Sequence, residues 1–248
     1  MRYLILSDIH SNAEALEKCL QTAQGRYDEA LCLGDLVGYG PDPNSVIDRI
    51  REIARVVLRG NHDKACCGLT DAEDFNPLAR LATRWTRQEL TPEHTQFLRD
   101  LPSGPVDLED FVLVHGSPRD EDEYLLDARA ALEALRHQRT QAVLFGHTHY
   151  QGGFLLNANR QLEVIHNFAE GDGDPQTLSL EDGSRYLLNP GSVGQPRDGD
   201  WRAAFAILDS DQRRIEYYRA SYDLPATQAK MHNAGLPEPL IKRLEIGR

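Results

Sequence analysis

The sequence predicts an α/β fold in which helices cover a parallel β-sheet. Up to about residue 60, apolar runs alternate with amphipathic segments in the order β-α-β-α-β, which is the pattern of a parallel sheet with helix-covered faces. Five short apolar runs are each followed by an Asp, Asn or His, which are side chains that bind divalent metals. The runs span residues 3–6, 30–33, 56–58, 111–114 and 143–145. The sequence therefore predicts a sheet with metal-binding side chains along one rim.

The elements of the first half follow from capping residues and apolar spacing. Asn12 can cap a first helix, and a second helix follows the Gly- and Pro-rich turn at residues 38–43. Residues 64–104 are predicted to be helical. Within them, Thr91 is a capping residue and Pro92 suits the first helical position.

The second half is predicted to be mostly strands and turns. A hairpin is expected from residues 106–108 and 111–114, joined by Glu109 and Asp110, with a helix over residues 127–137. Strands and turns follow from Val143 onward.

A final hairpin, made of residues 202–208 and 213–219, and a short helical tail complete the expected elements. The polar, Gly-rich residues 169–185 are expected to form a mobile surface loop. No linker or internal repeat is evident. We therefore predict a single domain over residues 1–248, with a short helical tail at 224–248.

The composition excludes some functions. The 248-residue chain carries 39 acidic and 27 basic residues, a net charge of −12. Such a chain lacks the wide basic face that grips a nucleic-acid backbone, which argues against long nucleic acid as a partner. A metal cluster could still create one local positive spot that attracts phosphate.

The chain also lacks the marks of a membrane or exported protein. We expect no signal peptide, because the first residues are typical of a strand, and no membrane span, because no apolar stretch approaches the ~18 residues that cross a bilayer. Four cysteines occur without a Cys-x-x-Cys spacing, at Cys19, Cys32, Cys66 and Cys67. Free thiols suit a reducing compartment, so we expect a cytoplasmic protein with no membrane partner.

The candidate metal ligands are more numerous than one zinc ion requires. Residues i and i+2 of an extended segment point the same way, so Asp8 with His10, and His147 with His149, can each reach one metal. Seven ligands suit two ions that share the carboxylate of Asp35, the arrangement of dinuclear phosphatases and nucleases. The seven are Asp8, His10, Asp35, Asn61, His115, His147 and His149.

Two divalent cations, two carboxylates and a bridging hydroxide would give a net positive site able to attract phosphate. His62 follows the ligand Asn61 and could protonate the leaving oxygen or stabilise the transferring phosphoryl group. Asp63, or another carboxylate, could fix the tautomer of His62. His94, His137, His166 and His232 lie in helical or polar segments typical of surfaces, and no role is assigned to them.

Together the five segments resemble the signature of the calcineurin-like metallophosphoesterase superfamily. They are Asp8-Ile9-His10, Gly34-Asp35, Gly60-Asn61-His62-Asp63, His115-Gly116 and Gly146-His147-Thr148-His149. The resemblance implies a four-layer α-β-β-α sandwich of two mixed β-sheets and a dinuclear site at the ends of the strands.

By the same resemblance, Asp8, His10 and His149 would bind one metal ion, and Asn61, His115 and His147 a second. Asp35 would bridge the two ions and His62 would be the catalytic histidine. The metals of the family are commonly manganese, iron or zinc. The ligand types themselves would also accept nickel.

One departure from the family pattern is informative. Gly38 and Tyr39 stand where protein Ser/Thr phosphatases carry an Asp and a phosphate-gripping Arg. The chain therefore resembles the small bacterial phosphoesterases more closely, as does its segment 189–197. Arg197 could replace the missing Arg if that segment folds over the metals. Tyr39 and Asn12 are weaker candidates for lining the pocket, since each also suits packing or a helix cap.

The leading functional interpretation is metal-dependent hydrolysis of a small phosphodiester or phosphomonoester by a hydroxide that bridges the metals. Hydrolysis of a phosphoanhydride in a nucleotide or dinucleotide polyphosphate is an alternative that the sequence leaves open. A non-enzymatic metal-binding scaffold is a third, although such proteins are expected to have lost ligands or the catalytic His.

Overall fold

The computed structural model describes residues 1–108, 110–136, 138, 140–166 and 171–248. The strands of these residues are β1 (Arg2–Leu6), β2 (Glu29–Cys32), β3 (Ala54–Val57), β4 (Val106–Asp107), β5 (Phe111–Leu113), β6 (Ala142–Leu144), β7 (Gly152–Leu156), β8 (Leu162–His166), β9 (Gln176–Ser179), β10 (Arg185–Asn189), β11 (Ala203–Asp209) and β12 (Arg214–Ala220). The helices are α1 (Ala13–Ala23), α2 (Pro43–Ile53), α3 (Asn61–Cys66), α4 (Pro77–Glu89), α5 (Pro92–Asp100), α6 (Ala128–Arg136), α7 (Leu224–Asn233) and α8 (Glu238–Arg243).

The strands form two mixed sheets. The first has the order β3-β2-β1-β11-β12-β9 and the second β4-β5-β6-β10-β7-β8. In the first sheet β1, β2 and β3 are parallel, and β11 joins β1 in antiparallel pairing. In the second sheet β5, β6 and β10 are parallel, and β4 and β7 flank them in antiparallel pairing.

The two sheets pack face to face around a shared apolar core. Ile5 of β1 lies in this core, whereas Leu4 and Leu6 lie in the core beneath α1 and α2. Successive strand side chains point to opposite faces, and both faces of β1 are covered, which explains its continuous apolar run. Helix α6 packs on the outer face of the second sheet. The four-layer α-β-β-α sandwich that the resemblance implied is confirmed.

The parallel strands bring the metal-type side chains to one edge. The amide of Asp8 donates to the carbonyl of Gly34 at 3.0 Å, which aligns the segments that follow β1 and β2. The amide of Gly146 donates to the carbonyl of His115 at 2.9 Å, which aligns those that follow β5 and β6. The amide of His147 donates to the Asp8 carboxylate at 3.1 Å and so connects the two edges.

Most local predictions are confirmed. Asn12 caps α1 by accepting from the amide of Ala15 at 3.1 Å, and Thr91 caps α5 through the amide of His94 at 3.1 Å. Strands β4 and β5 pair as predicted, although Glu109 in their connection lies outside the described residues. The final hairpin is β11 and β12. The four cysteines are free and buried.

Two predictions were wrong in part. Residues 64–104 are not continuously helical, because non-helical residues 67–76 separate α3 from α4. Residues 169–185 are not wholly a surface loop, because Gln176–Ser179 forms β9 on the edge of the first sheet, paired with β12. Residues 169 and 170 of that segment lie outside the described residues. The pairing of β9 is with a strand about 40 residues away, so local composition did not reveal it.

The tail is helical, as predicted. Residues of α7 and α8 pack with residues of α4 and with Tyr39, and this apolar cluster covers one side of the edge that carries the metal-type side chains. The single-domain organisation over residues 1–248 stays a prediction. Across the described residues, no helix has the length and apolar character that crossing a bilayer requires.

Candidate metal centre

Six of the seven predicted ligands converge at one buried edge of the two sheets, and the seventh, Asn61, lines a cavity together with His147. Asp8, His10, Asp35 and His149 offer ligand atoms that all lie within 4.8 Å of one another. Asp35 also belongs to a second group, with His115 and His147, that meets the same limit. Asp35 is therefore the residue common to both groups, which we call the first cluster and the second cluster.

The backbone adopts an unusual conformation at the ligands. Five of them have left-handed backbone, with φ of 52° at Asp8, 49° at His10, 54° at Asp35, 66° at His147 and 62° at His149. Non-glycine residues rarely adopt positive φ, and such strain persists only where the surrounding structure imposes it. The hydrogen bonds between the sheet edges offset the cost of this strained backbone, and the strained backbone sets the direction of the ligand side chains.

A backbone carbonyl fixes one ring nitrogen of each histidine in the two clusters. In a neutral ring each carbonyl selects the tautomer in which that nitrogen donates, and the other nitrogen then has a lone pair for a metal. The bonds are His10 Nδ1 to Val37 O at 3.0 Å, His115 Nδ1 to Leu33 O at 2.8 Å, His149 Nδ1 to Gln195 O at 2.6 Å and His147 Nε2 to Asp122 O at 3.1 Å.

The ring nitrogens and oxygens that face the middle of the centre suit a cation. Nε2 of His10 lies 3.1 Å from Nε2 of His149, and both rings already donate through Nδ1 to a carbonyl. Asp35 Oδ2 and His115 Nε2 are buried without a hydrogen-bond partner, and 3.5 Å separates them. Asn61, the first residue of α3, likewise has a buried Oδ1 without a partner. Buried acceptors without donors are costly, so this donor set fits divalent metal ions.

The pKa values of the ligand side chains also favour metal binding. Burial lowers the pKa of His10 to about 4 and that of His147 to about 3, so both rings are neutral and able to bind metal. Burial alone would lower the pKa of His115 as well, but the charge of Asp35 raises it to about 9. The carboxyl of Asp35 is buried too, yet His115 and His62 hold its pKa well below the usual value. In the metal-free protein the anionic carboxylate of Asp35 therefore lies beside a protonated His115, and a metal ion could replace that proton.

His62 lies against the first cluster. Its side chain is 6 % exposed, and its ring centroid is 4.9 Å from that of His10 and 4.5 Å from those of Tyr39 and Phe75. Nδ1 of His62 has no hydrogen-bond partner, and its backbone amide donates to Asp35 Oδ1 at 2.8 Å. Burial lowers the pKa of His62 well below its ordinary value, so the ring is neutral at neutral pH.

Asp63 does not orient His62 as the sequence analysis suggested. Its carboxylate oxygens accept from the amides of Gly60 at 3.0 Å and Val37 at 3.2 Å. Among the described residues, it makes no hydrogen bond to the His62 ring. One donor is at the start of α3 and the other is in the segment after β2, so Asp63 joins the two loops that carry the ligands Asn61 and Asp35.

The three candidate substrate contacts have different surroundings. Arg197 is half-buried, and its Nη2 lies 3.5 Å from the hydroxyl of Tyr39 and 3.3 Å from Gln195 Oε1. Tyr39 is 4 % exposed and its ring contacts that of His10 at a centroid distance of 4.8 Å.

Asn12 does not line the pocket. It is 1 % exposed, caps α1 and donates to the carbonyl of Gly194 at 3.1 Å. Asn12 is therefore a helix cap, which is the other role that the sequence offered for it.

The segment that carries Arg197 is held against the centre. The amide of Gly194 donates to the carbonyl of Asp8 at 3.0 Å, and Ser192 Oγ donates to the same carbonyl at 2.7 Å. The amide of Arg197 donates to the carbonyl of His149 at 3.2 Å. Segment 189–197 thus lies beside the ligands, as its proposed role required.

Several residues near the centre were missed by the sequence analysis. Tyr124 stacks on His147 with centroids 3.7 Å apart, and Phe75 contacts His62. Both line a cavity of about 260 Å³ that opens beside Asn61 and His147. The acidic run 120–123 before Tyr124 is the one local signal, since it is an unusual neighbour for a phosphate site. Arg243, which lies over the ring of Tyr39, has no local sequence feature that marks it as part of the site.

The unassigned histidines include one with a structural role. His94 is 6 % exposed and bonds Asn44 Oδ1 at 2.7 Å and Asp48 Oδ1 at 2.8 Å. It therefore connects α5 to α2 and is not the surface residue that the sequence suggested. His137 lies outside the described residues.

Gly60→Ala should lower metal affinity. A Cβ at Gly60 would lie 2.0 Å from Asp35 Oδ1 and 2.5 Å from the Asp35 amide, so the shared carboxylate would have to move. Displacing one ligand should weaken metal binding by roughly 10- to 100-fold, as loss of supporting contacts around metal sites does.

Calorimetric titration with Mn²⁺ measures this affinity. Gly25→Ala is the control, because Gly25 has φ of 74° but nothing within 4 Å of its added Cβ. That variant bears backbone strain without a clash and should bind Mn²⁺ like the wild type. Wild-type affinity in Gly60→Ala would contradict the tight approach to Asp35.

The chain is similar to known proteins in sequence and in fold. A family model described as the calcineurin-like phosphoesterase superfamily domain matches residues 1–213. An uncharacterised protein of Methanocaldococcus jannaschii is 32 % identical over 250 residues, covering 98 % of this chain and 97 % of that protein.

Two solved structures cover the whole chain. A metallophosphoesterase from Sphaerobacter thermophilus is 41 % identical with a TM-score of 0.85, and the match covers 100 % of this chain and 99 % of that one. A hypothetical protein from Pyrococcus horikoshii OT3 has 21 % identity and a TM-score of 0.79, covering 100 % and 98 % of the two chains. The second match, at its lower identity, shows the fold alone.

Proposed function

Since the chain belongs to the calcineurin-like phosphoesterase superfamily, we propose that it hydrolyses a small phosphodiester or phosphomonoester with two divalent metal ions. The observation that carries the proposal is the position of Asp35, whose carboxylate belongs to both clusters of buried ligands. Two ions that share a carboxylate are suited to the two oxygens, attacking and leaving, of an in-line displacement at phosphorus.

The ligand roles follow from the two clusters. Asp8, His10 and His149 would hold one ion, His115, His147 and Asn61 the other, and Asp35 both. When bound, the two ions would activate water as a nucleophile and neutralise charge on the phosphoryl group. Manganese, iron, zinc and nickel all suit this mixture of carboxylate, amide and imidazole ligands.

His62 would assist the leaving group. Its ring is neutral and touches the ring of the ligand His10, so it can present an N–H to an oxygen of the bound ester without adding a charge. The contacts with Tyr39 and Phe75 hold the ring in one orientation. In this proposal His62 is a hydrogen-bond donor to developing negative charge as the ester bond breaks.

Arg197 would bind the phosphoryl oxygens. The hydrogen bonds of segment 189–197 place it beside His149, and its Nε is buried without a partner. A guanidinium with free donors is suited to bidentate contact with phosphate. In this proposal Arg197 takes the part of the phosphate-binding Arg that protein Ser/Thr phosphatases carry where this chain has Tyr39.

Metal affinity should rise with pH above neutrality. The pKa of His115 is raised to about 9 in the metal-free protein, so its Nε2 holds a proton below that pH. This proton stabilises the metal-free fold fully below the unfolded value of 6.5, and the stabilisation is lost as pH rises toward 9. A metal at Nε2 must displace it, so affinity should increase up to about tenfold per pH unit between 7.5 and 9.

Calorimetry in two buffers of different ionisation enthalpy measures the proton released by Mn²⁺ binding. A proton release that falls by about one per chain between pH 7.5 and pH 9.5 is the expected result, since that part comes from His115. Affinity and proton release that do not change with pH would remove His115 from the ligand set.

The test of function is hydrolysis of bis-p-nitrophenyl phosphate and p-nitrophenyl phosphate by metal-stripped protein, before and after manganese is restored. Turnover that returns with the metal supports the proposal, and the preferred ester separates a diesterase from a monoesterase. If two metal ions bind but neither ester is cleaved, the proposal fails. A phosphoanhydride substrate or a scaffold role would then be the alternative to pursue.

A further inference from the structure

Two arginines from distant parts of the chain lie over the same tyrosine beside the centre. Cζ of Arg197 is 6.0 Å from the ring centroid of Tyr39, and Cζ of Arg243, at the end of α8, is 5.9 Å from it. The Tyr39 ring in turn lies 4.8 Å from that of His10 in the first cluster. The tail of the chain thus brings a second guanidinium close to the metal centre.

Neither guanidinium is paired with an Asp or Glu side chain of the described residues. Among the described residues, no Asp or Glu carboxylate lies within 4.0 Å of a nitrogen of Arg197 or Arg243, although surface arginines of this acidic chain are often paired with acidic side chains. Arg197 has a buried Nε without a partner. The one hydrogen bond of Arg243 goes from its Nε to the backbone oxygen of Arg248, which leaves the two Nη groups available.

The guanidinium groups of Arg197 and Arg243 repel each other. Burial and the charge of Arg197 both lower the pKa of Arg243. Both side chains are half-buried, so solvent screens them less than it screens exposed arginines. Two partly buried cations beside one ring, neither with an acidic side chain as partner, are an unusual arrangement in a protein of net charge −12, and they would attract an anion.

The other side of the centre is acidic and disfavours an anion. The cavity beside Asn61 and His147 is lined by Asp71, Glu73, Asp74 and Asp122. Its Lys64 is already bound to Glu121 at 3.0 Å and to Asp122. A substrate with negative charge in addition to its reacting phosphate would therefore place that charge near Tyr39 and away from the cavity.

We propose that Arg243, with Arg197, forms a binding site for a second phosphate group of the substrate. The substrate would be a phosphate ester that carries another phosphate away from the bond that breaks. Its organic part would extend toward Phe75 and Tyr124, which contact His62 and His147 and offer apolar ring faces. This inference rests on the proposed function, because it takes the first phosphate to be bound at the metal centre.

Binding is the direct test, with thymidine 3′,5′-bisphosphate and thymidine 5′-monophosphate as probes. Calorimetry would use manganese-loaded protein with the His62→Ala substitution, so that turnover is slow. The bisphosphate should bind about tenfold more tightly than the monophosphate, since a charge-assisted contact to phosphate is worth about that factor. Arg243→Gln should remove this preference.

Lys242→Gln is the matched control. Lys242 precedes Arg243, is exposed and pairs with Glu238 at 3.2 Å, so its loss also removes one positive charge from α8. The preference for the bisphosphate should persist in this variant.

Equal affinities of the two probes, or a preference that survives in Arg243→Gln, would overturn the inference and leave Arg243 as a contact that packs the tail on Tyr39. A parallel assay compares kcat/KM for the p-nitrophenyl ester of thymidine 5′-phosphate with and without a 3′-phosphate. Arg243→Gln should lower the ratio of these two values about tenfold.

The two assays separate the two proposals. If neither ester is cleaved although the bisphosphate still binds more tightly through Arg243, the hydrolase proposal fails and the anion site stands. If both esters are cleaved with a ratio that Arg243→Gln leaves unchanged, the hydrolase proposal stands and the second-phosphate site fails.

Discussion

Replacing Asp35 with Asn should lower turnover by roughly 10³-fold, which corresponds to about 4 kcal/mol of lost transition-state stabilisation. The side chain is 1 % exposed and its Oδ1 accepts the His62 amide at 2.8 Å, a bond that an Asn oxygen can keep. At the position of Oδ2, however, an Asn would place an NH₂ group, which cannot bind a metal ion, at the point shared by the first and second clusters. The fold should therefore persist while the second ion binds weakly or not at all.

Metal analysis and turnover of bis-p-nitrophenyl phosphate check this expectation on the same samples. Asp209→Asn is the control, because Asp209 is also buried, at 8 % exposure, and accepts the Gln212 amide at 3.0 Å away from the ligands. It should retain two metal ions and wild-type turnover. An Asp35→Asn variant with full activity would show that the two clusters do not act as one site.

Removing the ring of His62 should lower turnover by about 10²-fold or more while both metal ions stay bound. His62 contributes its backbone amide to Asp35, and His62→Ala keeps that amide. The variant loses the ring that lies 4.9 Å from His10 and the N–H that would reach the leaving oxygen. The loss should therefore appear in kcat, with little change in metal content.

His94→Ala controls for the loss of a buried imidazole. His94 and His62 are both 6 % exposed, but His94 bonds Asn44 and Asp48 and lies outside both clusters. Its loss should lower the melting temperature without changing kcat. If His62→Ala kept wild-type kcat at full metal occupancy, His62 would have no part in the reaction.

The ligand set could be predicted because it depends on local sequence and on one rule of topology. Asp8 and His10 follow β1, and Asp35 follows the parallel neighbour β2, so the rule that parallel strands end at one edge brings them together. His115 and His147 follow β5 and β6 in the second sheet for the same reason. The meeting of the two sheets at this edge came from the resemblance to the family.

What the sequence missed depends on contacts between distant segments. Arg243 lies beside Tyr39 only because α7 and α8 fold back on the cluster around α4. Strand β9 forms through pairing with β12, which its own polar composition did not indicate. Asp63 looked like a partner for the adjacent His62, yet the backbone donors of Gly60 and Val37 occupy its carboxylate. Such choices between competing partners are made by tertiary packing.

The most direct test of a dinuclear hydrolase joined at Asp35 is a titration of metal-stripped protein with manganese, with turnover of bis-p-nitrophenyl phosphate or p-nitrophenyl phosphate measured at each addition. At protein concentrations above the dissociation constants, turnover should remain low through the first equivalent, rise through the second and then stop rising. Full turnover after one equivalent, or none after two ions are bound, would contradict the account.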